Sequence, residues 1–111
     1  MDKEFFPEII SKLPPADIPI NGLSSHILQG SDQQILFMEF EYDIEIPEHS
    51  HEAQWGAVLS GEIELTIDGQ TRNFKKGDTY FIPATTTHSA KIKAGYKDIT
   101  LFNQKDRYKK K

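Results

Sequence analysis

The chain has 111 residues, 37% of them hydrophobic and 27% charged, which is the composition of one ordinary globular domain and not of a disordered or fibrous protein. Its net charge of −4 argues against nucleic-acid binding, because the only basic cluster, 107–111, has the pattern of a solvated terminal tail. No apolar run is long enough to cross a bilayer, and the acidic start lacks the pattern of a secretory signal. We therefore expect a cytoplasmic protein that binds neither membranes nor nucleic acids.

The first half of the chain predicts a short helical start followed by a long strand. Residues 5–13 fit two helical turns with Pro7 in the first turn, and a Pro-Pro pair then ends the helix. Over 36–46 apolar residues alternate with acidic ones, which predicts a single strand with one dry and one wet face. Pro47 ends this predicted strand.

Shorter strands follow at regular spacing. Asp68-Gly69 is a strong hairpin signal, since both residue types tolerate a positive φ, and Gly77 lies in the next turn. Many short strands with Gly and Pro between them predict an all-β sandwich or barrel. The predicted strands cover 54–59, 62–68, 79–82, 88–92 and 99–102.

Three of the four histidines fall in two short motifs. In a β-strand, residues two apart point to the same face, so His49 and His51 direct both imidazoles to one point. Together with Gln54 and His88 they form a candidate site for a divalent metal. A lone His-x-His pair is more often a surface or packing feature, and Gln54 has the alternative role of satisfying a neighbouring backbone group. A third histidine after a correctly spaced Gly and Pro favours metal binding.

These motifs resemble those of the cupin superfamily. The first motif is the run 49–54, His-Ser-His-Glu-Ala-Gln, followed by six residues and Gly61. The second is Gly77, five residues, Pro83 and then His88. The resemblance implies a small single-domain double-stranded β-helix, or jelly-roll barrel, with a short N-terminal helical segment and one metal inside the barrel. The ligands that it implies are His49, His51, Gln54 and His88.

We divide the single domain into an N-terminal extension with an edge strand (1–30), the barrel (31–104) and a basic tail (105–111). A jelly roll this small has exposed sheet edges, so we expect a homodimer in which the N-terminal segment covers an edge of the partner. The residues that favour this arrangement are Leu23, Ile27 and Leu28, with the alternative that they complete the chain's own core.

The predicted ligand set also indicates a chemistry. The chain has no cysteine, so a metal must be held by nitrogen and oxygen ligands, and these do not distinguish zinc, nickel, iron and manganese. Three imidazoles and one amide are neutral, so a single divalent transition metal keeps its charge of about +2. We therefore expect a small, anionic, oxygenated ligand and Lewis-acid chemistry of the isomerase, lyase or oxygenase type.

Small cupins that open cyclic uronates are similar in size and in their ligand set. They carry a catalytic Asp and a downstream Arg near the last strand, but here Thr100 stands in place of that Asp, and Asp98 and Arg107 are out of register. A non-catalytic ligand-binding or sensing module is the alternative function. The weak catalytic candidates are Tyr42, Tyr80 and Gln104.

Three further residues near the motifs have structural explanations. Glu52 directly follows His51 and is expected to point away from the site. His26 has no partner pattern and is expected to be structural, and Trp55 is expected to pack on the opposite side of its strand from Gln54.

Overall fold

The computed structural model describes residues 4–111, which contain one short helix and nine β-strands. No helix in that part of the chain is long and apolar enough to cross a membrane. The helix α1 spans Glu8–Ser11. The strands are β1 (Leu23–Gln29), β2 (Gln34–Phe40), β3 (Ile44–His49), β4 (Gln54–Ser60), β5 (Glu62–Ile67), β6 (Gln70–Lys75), β7 (Thr79–Ile82), β8 (His88–Ile92) and β9 (Lys97–Phe102).

The strands form two antiparallel sheets that share one hydrophobic core. The five-stranded sheet has the order β1-β2-β9-β4-β7, and the four-stranded sheet has the order β3-β8-β5-β6. Buried side chains of both sheets belong to one cluster, with Leu36 and Val58 from the first and Leu65 and Ile92 from the second. This arrangement confirms the predicted all-β class with a short N-terminal helix.

The predicted single strand over 36–46 is wrong. The alternation is shared between β2 and β3, which lie in different sheets and are separated by a bend at residues 41–43. Two sheets that bury their inner faces against one core need the chain to cross between them, and period-two patterning does not mark where it crosses. Pro47 does not end β3 but lies at an irregularity in its pairing with β8, where an edge strand tolerates a proline.

The predicted hairpin turn is present, whereas the helix is shorter than predicted. Asp68 and Gly69 have φ values of 48° and 79° and join β5 to β6, so the hairpin is confirmed. The helix is shorter than the predicted two turns, because it begins after Pro7 and ends at Ser11. Strand β6 carried no alternating apolar signal, since most of its side chains are exposed at the sheet edge.

The basic C-terminus is not a free tail. Tyr108 N donates a hydrogen bond to Gln34 Oε1 (3.0 Å), and Gln34 Nε2 donates to Tyr108 O (2.7 Å). The backbone of Lys111 donates to Pro15 O, which ties the end of the chain to the N-terminal segment. The lysines are exposed as predicted, but Arg107 and Tyr108 are partly buried, because charge patterning does not report backbone pairing.

The residues that motivated the homodimer have different environments. Ile27 is buried and Leu23 packs against the chain's own core, which is the alternative considered above. Leu28 is 47% exposed. It begins an apolar band that crosses the outer face of all five strands of its sheet through consecutive register pairs. The band consists of Leu28, Ile35, Leu101, Trp55 and Phe81.

The homodimer stays a prediction, and the apolar band is the surface that would carry it. A contiguous apolar band of this kind is typical of an association surface. Light scattering at micromolar concentration should return twice the chain mass of 12.7 kDa. The variant Phe81→Ser should shift the protein toward monomer, whereas Lys91→Ser on the other sheet should not. A parent protein with the monomer mass would contradict the prediction.

Candidate metal centre

Three histidines meet at one end of the two sheets. His49 ends β3, His88 begins β8, and the antiparallel pairing of these strands places the two residues opposite each other. His51 lies in the connection to β4. Ligand nitrogens of the three imidazoles all lie within 4.8 Å of one another, so the cluster could hold a metal ion.

Backbone carbonyls fix the orientation of all three rings. Nδ1 of His49 lies 2.8 Å from Pro47 O, Nδ1 of His51 2.7 Å from Glu52 O, and Nδ1 of His88 2.9 Å from Thr86 O. A carbonyl oxygen only accepts hydrogen bonds, so Nδ1 must carry the proton in each ring. In a neutral ring the Nε2 atom is then unprotonated and free, which is how metal-binding histidines are commonly oriented.

Two of the free nitrogens face each other closely. Nε2 of His51 lies 3.1 Å from Nε2 of His88. With the protons on Nδ1, both atoms present lone pairs and cannot hydrogen-bond to each other. A cation bound by both would remove this repulsion, and ligand nitrogens about 2.0–2.1 Å from a metal are roughly 2.8–3.4 Å apart across octahedral and tetrahedral geometry. The donor set therefore fits a divalent metal.

Burial keeps two of these rings in the form that binds metal. The pKa of His51 is lowered from 6.5 to about 4, chiefly by desolvation and also by the nearby positive charge of Arg107, against the raising effect of the hydrogen bond to Glu52. Burial also lowers the pKa of His88. Both imidazoles are therefore neutral at physiological pH, and binding a metal displaces no proton from their Nε2 atoms.

The histidines line a cavity of about 270 Å³ between the sheets. Its wall is mostly apolar, which is typical of small-molecule sites with a few placed polar groups. The side chains with polar groups that line it beside the histidines are Gln54, Tyr80, Asp98, Arg107 and Tyr108.

Asp98 is a buried carboxylate in this wall. It is 2% exposed and accepts hydrogen bonds from Tyr96 Oη (2.7 Å) and Thr100 Oγ1 (3.1 Å). Burial raises the pKa of Asp98 to about 6, although hydrogen bonds from Tyr96, Thr100 and Tyr80 lower it. Burial also raises the pKa of both tyrosines, so their hydroxyls stay protonated.

Arg107 brings a positive charge to the same cavity. Its guanidinium lies 4.3 Å from the ring centroid of Tyr108 and 5.9 Å from that of Phe102. Among residues 4–111 it has no carboxylate partner within ion-pair distance, and its buried Nε has no hydrogen-bond partner. A stacked guanidinium with an unused donor is suited to bind an anion.

The other predicted site residues lie in different places. Tyr80 lines the cavity, where its hydroxyl accepts a hydrogen bond from Gln54 Nε2 (3.2 Å). Tyr42 is 52% exposed and does not line the cavity. Gln104 also lies outside the lining, and its Nε2 donates to Asp106 Oδ1 (3.3 Å).

The three residues given structural explanations do not line the cavity. Glu52 is exposed, and its backbone carbonyl lies at hydrogen-bond distance from Nδ1 of His51. His26 lies in β1 away from the cavity, with its backbone in a bridge to Pro15. Trp55 is 40% exposed on the outer face of its sheet.

Sequence reasoning undervalued Asp98 and Arg107. Asp98 shares its strand face with Thr100 and Phe102, all three buried, so a charged residue on an inward face was the available signal. For Arg107 the only signal was the downstream Arg of the similar small cupins, because the position of this residue depends on how the C-terminal segment folds back.

The family comparison agrees with this geometry. The model of the family described as "Cupin domain" matches residues 36–100, more than half of the chain. The protein therefore belongs to the cupin family. Among curated protein sequences, none matches the chain significantly.

Solved structures similar to this chain are cupins of several kinds. An RmlC-like cupin from Shewanella frigidimarina is 23% identical, with a TM-score of 0.75 over 95% of this chain and 94% of that chain. KdgF from Halomonas sp. is 25% identical, with a TM-score of 0.70 over 83% and 88%. Oxalate decarboxylase from Bacillus subtilis, which has Mn(II) centres, is 16% identical, with a TM-score of 0.72 over 87% of this chain and 29% of that longer one.

We expect the protein to bind about one divalent metal per chain through its histidine cluster. The double substitution His49→Ala, His51→Ala leaves one imidazole and should abolish stoichiometric binding. Elemental analysis of the natively purified proteins gives the number of metal ions per chain, and titration of the metal-free forms gives the metal affinity of the parent and of the variant. His26→Ala is the matched control and should bind like the parent. A double variant that binds metal as tightly as the parent would show the assignment to be wrong.

Acid should destabilise the metal-free protein partly through His51. As pH falls from 6.5 to about 4, the unfolded chain takes up a proton on this residue and the folded chain resists it, so the free energy of unfolding falls across that window. Asp98 acts in the opposite direction, because its pKa is raised on folding. Melting curves in chelator should show a smaller acid-induced fall for His51→Gln than for the parent. Identical pH profiles would contradict the argument.

Proposed function

We propose that the protein is a metal-dependent cupin that binds, and acts on, a small anionic oxygenated metabolite. In this proposal the two sheets form the double-stranded β-helix, and His49, His51, Gln54 and His88 hold one divalent transition metal inside it. Zinc, nickel, iron and manganese all suit such ligands. When bound, the metal would supply Lewis-acid polarisation of a carbonyl or carboxylate oxygen.

The observation that carries the proposal is the position of Arg107. Its unpaired guanidinium lines the same cavity as the three histidines, and its charge contributes to the lowered pKa of both His51 and His88. Two of these imidazoles are neutral and an amide adds no charge, so nothing in the ligand set cancels a metal's charge. A ligand with an anionic oxygen would satisfy both the guanidinium and the metal.

Asp98 is the one acidic side chain of residues 4–111 that lines this cavity, and a charged carboxylate there would repel an anionic ligand. Its two carboxylate oxygens already accept hydrogen bonds from Tyr96 and Thr100, and it is almost completely buried. Its charge is therefore partly satisfied within the wall. Arg107 and the Nε2 atoms of the histidines, by contrast, retain unused hydrogen-bonding or coordinating capacity. The balance of free groups favours an anionic ligand.

The chain's own residues would bind and orient such a ligand. Arg107 would hold an anionic group by charge-assisted hydrogen bonds, which typically contribute about 1.5–3 kcal/mol. The apolar side chains of the cavity would exclude water and strengthen that interaction. Among the polar side chains of the cavity wall, Tyr80 and Asp98 are the candidates for a general acid or base.

A non-catalytic binding module is the second candidate function, and one observation favours it. The hydroxyl of Tyr80 and both oxygens of Asp98 are engaged in hydrogen bonds within the protein. Neither group is free to exchange a proton with a ligand without breaking one of these bonds. Product analysis of the metal-loaded protein with small ketoacids and uronates separates the two functions, because a module would bind such a compound and return it unchanged.

We expect Gln54→Glu to weaken the binding of carboxylate ligands while retaining or strengthening metal binding. The added negative charge would lie close to the open metal positions, where water screens poorly, so the loss should be about 1–3 kcal/mol. Arg107→Gln should weaken the same ligands without affecting metal stoichiometry. Calorimetry with a panel of small ketoacids and uronates measures both changes.

A neutral ligand provides the control for this experiment. Pyruvamide in place of pyruvate should bind the parent and Arg107→Gln with similar affinity, because it carries no charge for the guanidinium. Carboxylate affinities that are unchanged in both variants would contradict the anionic-ligand proposal.

A further inference from the structure

Tyr80 and Gln54 line the same cavity as the histidines, and the hydrogen bond between them has a fixed donor and acceptor. Gln54 Nε2 donates to the Tyr80 hydroxyl at 3.2 Å. A side-chain amide has a donor end and an acceptor end on opposite sides, so a partner that engages the nitrogen leaves the oxygen to face another group. Only the oxygen can serve as a metal ligand.

The surroundings of Tyr80 explain why it accepts from the amide. A phenol has one proton to donate. Tyr80 lies in the buried group with Asp98, Tyr96 and Thr100, and it is one of the hydrogen-bonding groups that stabilise the Asp98 carboxylate. When that proton points into this buried group, the phenol oxygen accepts the hydrogen bond from Gln54 Nε2. The amide must then present its nitrogen to Tyr80.

Gly56 makes this contact sterically possible. It lies two residues after Gln54 on β4, on the same face of the strand and paired with Tyr80 in the register of β4 and β7. A Cβ at this position would collide with the end of the Tyr80 ring and with its hydroxyl oxygen. The missing side chain therefore leaves the space through which the phenol reaches the amide.

We propose that Tyr80 is a positioning residue that holds Gln54 with its oxygen turned toward His49, His51 and His88. The hydrogen bond from Gln54 Nε2 to the Tyr80 hydroxyl sets which end of the amide faces the phenol, and Gly56 provides the room for it. This inference rests on the proposed metal site but not on the nature of the ligand. It assigns Tyr80 a role through Gln54, not through contact with a substrate.

Metal affinity, measured by competition with a chromophoric chelator, tests the proposal. Tyr80→Phe removes the acceptor and should weaken metal binding about 10- to 100-fold, the usual cost of losing a residue that orients a ligand. Gly56→Ala should have the same effect, because it displaces the hydroxyl without deleting it. Tyr42→Phe, an exposed tyrosine outside the cavity, is the matched control and should bind metal like the parent.

The Gln54→Glu background separates positioning from general damage to the cavity. A carboxylate has two equivalent oxygens and needs no fixed orientation, so Tyr80→Phe should cost little metal affinity in that background. A purely structural role for Tyr80 would cost the same in both backgrounds. Equal losses, or no loss in the parent background, would overturn the proposal.

Spectroscopy of the cobalt-loaded protein gives a second readout. The visible spectrum of Tyr80→Phe should approach that of Gln54→Ala, in which the amide is absent, and differ from the parent. A Tyr80→Phe spectrum identical to the parent's would overturn the positioning role and leave the anionic-ligand function standing. A parent that binds no metal would overturn both, so the two failures are distinguishable.

Discussion

The antiparallel pairing of β3 with β8 is the constraint on which the candidate site depends. It sets His49 opposite His88, and the chain between β3 and β4 then brings His51 to the same point. A register shift of one residue would turn one imidazole to the other face of the sheet. The irregularity between Ile46 and His49, at Pro47, therefore lies where the geometry of the site is decided.

Strand register determines where the histidines lie, and backbone carbonyls determine how their rings are oriented. Each imidazole is held by a carbonyl within two residues of it in the sequence, so ring orientation is set locally once the strands have paired. The resulting apposition of His51 and His88 lone pairs is unfavourable by itself. The site is thus arranged in advance for a cation, at a local cost that a bound ion would offset.

The C-terminal segment forms part of the cavity wall. Gln34 is almost fully buried in β2 and exchanges two hydrogen bonds with the backbone of Tyr108. This clamp holds Tyr108 against Phe102 and thereby places the Arg107 guanidinium over both rings. The charge available to a ligand consequently depends on a buried amide far away in the sequence.

Local patterns in the sequence determined the β class, the Asp68-Gly69 turn and the three histidines, because alternation, turn chemistry and motif spacing act over a few residues. Tertiary structure alone decided where the predicted strand over 36–46 divides between the sheets. It also decided that Asp98 and Arg107 share the cavity with those histidines. Those outcomes depend on contacts between segments that are distant in the sequence. A local sequence pattern does not specify which distant segment packs against it.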